Sequence, residues 1–274
     1  MAVKQKFCTF AKRMKRTTNH IKEHKAYIKI LAILVILLGV TNIKAATIEP
    51  ENMSIFNLFK SDPGDVLGLS LYSDKELDKV DTYISEHFGK FENVFHEFAS
   101  DVIHVDICVI PPTEERNYIT LVTMGMGAKK MNVPWDLKDQ PRTRAELLIC
   151  LPPDWPLTKD SLKEEKWYWP IRLLEKLAHL PFDEDNWLGE GHSIEYGETF
   201  DKSTLQSAAL LVNPYLSKRY QCFLTKRKVV NFYQVIPLYR EEMFFKQKNG
   251  ADELLKFFSK DNLIVDPNRK CVIF

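Results

Sequence analysis

The chain has 274 residues, 45% of them apolar and 27% charged, a balance that excludes a disordered or collagen-like polymer. Residues 1–29 hold nine Lys/Arg against Glu23, a net +8, while the remaining 245 residues hold 29 bases against 36 acids, a net −7, so the overall +1 hides a basic head on an acidic body. Five cysteines with no C-x-x-C spacing exclude a disulfide-stapled miniprotein and give no zinc signature.

The first feature in chain order is a leader, residues 1–52. Its apolar run Ile30–Val40 is eleven residues long, and the stretch from Tyr27 to Ile43 is seventeen, interrupted by Lys29, Thr41 and Asn42. A bilayer span needs about 20 residues and a secretory core about 7–15. The segment fits a signal peptide and a short signal anchor alike, and predicts an N-terminal apolar helix that anchors or exports the body. A start at Met53 is the alternative, with a cytoplasmic protein as its consequence.

From residue 53 to 274 the pattern predicts one domain. Ser73 and Glu76 form a capping box, Leu77, Val80, Ile84 and Phe88 follow at helical spacing, and Gly89 supplies a stop. Ile103 to Val109 alternates with His104, Asp106 and Cys108 and predicts a half-buried strand ended by Pro111-Pro112. Tyr118–Met126 reads as its antiparallel partner. Leu147–Leu151 is apolar without alternation, as in a central strand covered on both faces. Trp169-Pro170 reads as a helix opening with proline in its first turn, and Ile171, Leu174, Leu177 and Ala178 as its inner face. Ala208–Val212 and Val229–Ile236 are further strands. Two helices, Arg240–Lys248 and Asp252–Ser259, are parted by Asn249-Gly250, and Leu263–Phe274 is weakly strand-like. The sum is α+β, a single mixed sheet flanked by helices.

Catalytic signatures are sparse. There is no G-x-x-x-x-G-K-[ST], G-x-G-x-x-G, H-E-x-x-H or G-x-S-x-G, and Gly125-Met126-Gly127 reads as a turn. No cofactor or metal is expected. Phe182–Phe200 stands out, with Asp183, Asp185, Glu190 and Glu195 gathered around Trp187 and His192. As a catalytic loop it would use Glu190 or Asp185 as base beside His192. The simpler reading is an ordered acidic loop anchored by Trp187, suited to a basic protein partner. Lys218–Lys228 reads as a solvated hairpin turn, because a body of net −7 repels nucleic acid.

Four segments in register carry a family resemblance: RNYITLVTMGMGAKKMNVP (Arg116–Pro134), AELLICLPPDWPL (Ala145–Leu157), WPIRLLEKLAHLPFDEDNWLGEGHSI (Trp169–Ile194) and VNFYQVIPLYREEMFFKQKNGADELLKFF (Val230–Phe258). Together they resemble the Suppressor of fused (SUFU-like) domain from about Asp65 to Ser259. The resemblance implies a sandwich like the N-terminal domain of animal Suppressor of fused, which sequesters a transcription factor. Stand-alone bacterial-type members look like immunity proteins or antitoxins encoded beside polymorphic toxins. It follows that the chain is expected to be non-catalytic and to occlude a toxin encoded nearby. A membrane-tethered regulator or scaffold is the alternative, and a hydrolase using Glu190 and His192 a third reading.

Overall fold

A computed structural model describes residues 65–66, 69–97, 102–137, 141–214 and 220–273. The leader, with its apolar segment at 27–43, lies outside these residues, as does Cys8. Among the described residues no helix is long and apolar enough to cross a membrane.

A mixed sheet of eight strands organises the domain: β3 (Asn93–Phe95), β4 (Asp106–Ile110), β5 (Ile119–Met124), β6 (Ala145–Leu151), β7 (Ser193–Glu195), β8 (Gln206–Val212), β9 (Gln221–Phe223) and β10 (Val229–Tyr239). The spatial order is β3-β4-β5-β6-β10-β8-β7, with β9 paired to β10. Two short strands, β1 (Asp65–Val66) and β2 (Leu69–Ser70), form a separate hairpin. The β6–β10 pair is parallel, from Asn231↔Ala145 to Gln234↔Leu148, and its neighbours run antiparallel. Residues of β4, β5, β6, β8 and β10 are buried throughout, because helices cover both faces.

One face carries α2 (Glu165–Asp183). Its Trp169, Leu173, Leu174 and Leu177 pack in one core with Leu121, Leu147, Ile149, Leu211 and Val235, each fully buried apolar side chain contributing about 1.5–3 kcal/mol. The opposite face carries α1 (Asp74–His87), α3 (Arg240–Asn249) and α4 (Ala251–Leu255). Tyr83 stacks on Phe232 at 4.8 Å and Phe88 lies 5.3 Å from the same ring. Met243 and Leu254 pack with Ala208, Leu210, Ile236 and Leu238. Phe232, Ile236 and Leu238 share a strand face by the two-residue period, whereas Tyr233 and Val235 point to the α2 core.

Several expectations hold. Glu76 reaches back to accept the Ser73 amide at 3.1 Å, and Cys108 and Cys150 are free, buried residues. Others need correction. The strand expected over Ile103–Val109 runs as β4 from Asp106 to Ile110, with Ile103 making only an isolated bridge to Ser70, and it is buried on both faces, with His104 and Asp106 paired inside the protein. Helix α2 begins at Glu165, so Pro170 lies past the first turn; Trp167 and Tyr168 close the turn ahead of it by donating their amides to the Glu164 carbonyl at 3.0 and 3.2 Å. The tail makes a 3₁₀ turn at Asp261–Leu263 and a single bridge, Ile264↔Cys150, instead of a strand.

Candidate functional site

The loop that follows α2 is rigid for identifiable reasons. The chain turns at Asp185, whose φ of 46° is tolerated by a short polar side chain. Asn186 Oδ1 accepts the Trp187 amide at 2.8 Å. The loop is then sewn to the segment after β5. Asn132 donates its amide to the Asn186 carbonyl at 3.1 Å and its side-chain Nδ2 to the Asp185 carbonyl at 3.3 Å, and the Leu188 amide points at Met131 Sδ at 3.4 Å. At Gly189 a Cβ would press into the Trp187 ring at 2.6 Å, so a larger residue there would displace the indole. Trp187 packs against the α2 core and meets His192 edge to face at 4.3 Å.

The candidate residues fall into three places. Asp183 and Asp185 are exposed at the C-terminal end of α2. Glu190 accepts a hydrogen bond from Asn213 Nδ2. Glu195 lies on β7, at one end of the sheet order, 3.5 Å from Arg240. His192 is half-buried; burial, then the nearby Lys246 and Arg142, hold its pKa below the usual imidazole value. Among the described residues Glu190 is bonded to Asn213 and His192 meets Trp187, with no hydrogen bond joining Glu190 to His192.

Sequence reasoning passed over Trp135. It is 85% exposed, three residues beyond the Asn132 bonds that tie its segment to Asp185 and Asn186. Asp136 next to it in the chain is exposed, and so are Asp183, Glu184 and Asp185 in the loop to which Asn132 is bonded. Those three loop acids stand at the negative end of the α2 dipole, where carboxylates oppose the helix. An exposed indole, and carboxylates at a helix end that does not favour them, are local rules broken without structural gain. The signal in the sequence was Pro134-Trp135-Asp136, a tryptophan in a turn and outside any apolar period.

Internal charges are spent on the scaffold. Glu146, 0% exposed, accepts from Thr123 Oγ1 and the Tyr72 hydroxyl at 2.7 Å each, and from the amides of Gly125 and Gly127 at 2.9 and 3.0 Å. Burial pushes its pKa up against the pull of these donors. Gly125-Met126-Gly127 is therefore a turn, as expected, and its amides bind an internal carboxylate where a phosphate loop would bind a ligand. A second network joins α2 to the strands: His179 Nε2 meets Glu97 at 2.7 Å, and His96 and His104 meet Asp106 Oδ1 at 3.2 and 3.1 Å. Among the described residues no group of three or more His, Cys, Asp or Glu side chains is arranged to hold a metal.

The architecture defines an α+β mixed-sheet domain in which Trp135 is the most exposed large apolar side chain among the described residues. The chain belongs to the Suppressor of fused family: the model described as Suppressor of fused protein (SUFU) matches residues 101–270. A protein of Ureaplasma parvum serovar 3, described as uncharacterized protein UU111, is 29% identical over 209 residues, which is 74% of this chain and 98% of that protein. Among solved structures, a SUFU homolog from Neisseria gonorrhoeae aligns with a TM-score of 0.50 at 17% identity, covering 74% of this chain and 97% of its own. The Sufu–Fu complex aligns with a TM-score of 0.48 at 16% identity, covering 72% of this chain and 90% of that one.

Proposed function

We propose that this chain is a non-catalytic protein-binding module that acts by covering its partner's surface, and that the partner is a toxin encoded nearby, which makes the module an immunity protein. The observation that carries the reading is Trp135, 85% exposed and next to Asp136, in a segment that Asn132 bonds to the acidic loop after α2. Tryptophan is the residue most able to anchor an interface, and surrounding acids select a basic partner and speed its approach. Membership of the Suppressor of fused family supports a binding role. The basic leader, with Tyr27–Ile43 as its apolar segment, favours attachment at a membrane or export, which would turn the module toward a toxin acting outside the cytoplasm.

The test is co-expression with the product of the adjacent gene. A co-purifying complex, together with growth restored to cells making that product, is the expected result. No complex and no rescue would count against the toxin partner, and membrane fractionation that finds the whole chain soluble would remove the attachment.

A further inference from the structure

Two exposed patches of opposite charge leave the sheet at the same end. The parallel strands β6 and β10 start side by side, with Asn231 opposite Ala145. The hairpin of β9 and β10 turns just ahead of that start, since Gln221 pairs with Asn231 and Phe223 with Val229. The segment that carries Trp135 enters β6 from the same side. Met131 donates its amide to the Thr143 carbonyl at 2.8 Å, and Asn231 Nδ2 donates to the carbonyls of Pro141 and Arg144. The acidic loop after α2 joins them through the Asn132 amide, which donates to the Asn186 carbonyl at 3.1 Å.

The hairpin supplies the cations. No Asp or Glu occurs between Asp201 and Glu241. Thr225 Oγ1 accepts the amides of Arg227 and Lys228 at 3.2 and 3.0 Å, and Leu224 donates its amide to the Lys228 carbonyl at 2.9 Å, so the turn is held in shape. Two lysines at its root are used internally: Lys228 meets Glu76, and Lys79 donates to the Leu224 carbonyl. Lys226 and Arg227 are exposed at the tip, and among the described residues no carboxylate pairs with either. Phe223, beside the turn, is 62% exposed. The other patch is the complement, with Trp135 exposed next to Asp136 and the acids of the bonded loop exposed after α2.

A surface that holds both halves of a complementary pair at one end can meet its own copy about a two-fold axis, each patch facing the other's opposite. Screening confines the repulsion between two acidic bodies to about 8 Å at physiological ionic strength, and contacts within the face are closer than that. We infer that two copies of this chain associate through this end, the Phe223 hairpin of one against the Trp135 face of the other. The inference shares Trp135 with the proposed toxin-binding face but does not need the toxin; such a dimer keeps that face covered until another partner displaces the copy.

Charge reversal tests the dimer with no other protein present, so its outcome is independent of the co-expression test. In sedimentation velocity the full chain should grow heavier with concentration and lighter with added salt. Lys226→Glu with Arg227→Glu, or Asp183→Lys with Glu184→Lys, sets like charges against each other, and each double variant should dimerise at least about tenfold more weakly than wild type. Mixing the two variants restores opposite charges at both contacts and should return the mass of the wild-type dimer. Trp135→Ala should weaken association alike, and it stands in if a reversed variant fails to fold. A wild type that stays monomeric, variants that associate as tightly as wild type, or a mixture no heavier than its parts would overturn the inference.

Discussion

Substituting Arg269 tests whether the C-terminal segment is a working part of the fold. Arg269 and Glu242 are both buried, and the guanidinium meets the carboxylate through two contacts of 2.6 Å each. Arg269 also donates to the Pro237 carbonyl at 2.9 Å and lies over the rings of Tyr239 and Phe258 at 4.9 and 5.1 Å. Glu242 in turn accepts the amides of Tyr239 and Val272, each at 2.9 Å. Arg269→Met would keep much of the packing but leave a carboxylate at 0% exposure without its counter-charge. Breaking a buried pair from one side costs about 3–5 kcal/mol, whereas replacing both partners costs far less. The expected loss for Arg269→Met is therefore about 3–5 kcal/mol in urea unfolding, and Arg269→Met with Glu242→Gln should regain more than half of it. At about 2–4 °C per kcal/mol for a domain of this size, the single variant should melt roughly 10 °C lower. A single-variant loss below about 1 kcal/mol, or a double variant no better than the single, would refute this account of the tail.

Other consequences are equally checkable. The hydrogen bonds to Glu97 and Asp106 raise the pKa of His179 and His96 above the ordinary 6.5; their stabilisation is complete below about 6.5 and lost as pH rises through the raised folded-state values. NMR titration should show both rings titrating above 6.5 and urea midpoints falling toward alkaline pH, and rings titrating at or below 6.5 would contradict it. Gly125→Ala should destabilise by at least about 2 kcal/mol, because φ is 136° and a Cβ would run into the His104 carbonyl oxygen; unchanged unfolding would disprove the requirement. Glu184→Lys should raise the melting temperature slightly by complementing the α2 dipole, while slowing association with a basic partner. Alanine at both Glu190 and His192 should leave binding to the adjacent gene's product largely intact, and loss of a measurable turnover in that variant would favour the hydrolase reading.

Local chemistry made much of this fold readable. The capping residues Ser73 and Glu76 with Gly89 marked α1 to within a residue, the unbroken apolar run at Leu147–Leu151 marked a central strand, and Asn249-Gly250 marked the break between α3 and α4. The losses came from partners far away in the chain. Asp106 alternates with apolar residues as if it faced water, but histidines at 96 and 104 bury it, and His179 meets a carboxylate 82 residues away. The three-residue strands β3, β7 and β9 are too short to show a period. The acidic loop was visible by composition, and the anchoring of Trp187 with it. Its neighbour Trp135 was not, because whether a tryptophan is core or surface depends on what packs over it.

The central claim, that this protein works through an exposed acidic and aromatic face, is tested most directly by calorimetric titration of the adjacent gene's product with wild type and Trp135→Ala. Stoichiometric binding that weakens by about thirtyfold or more in the variant, as for an anchor residue worth about 2 kcal/mol or more, and that falls with added salt is the predicted result. Binding of equal strength in the two proteins, insensitive to salt, would contradict it.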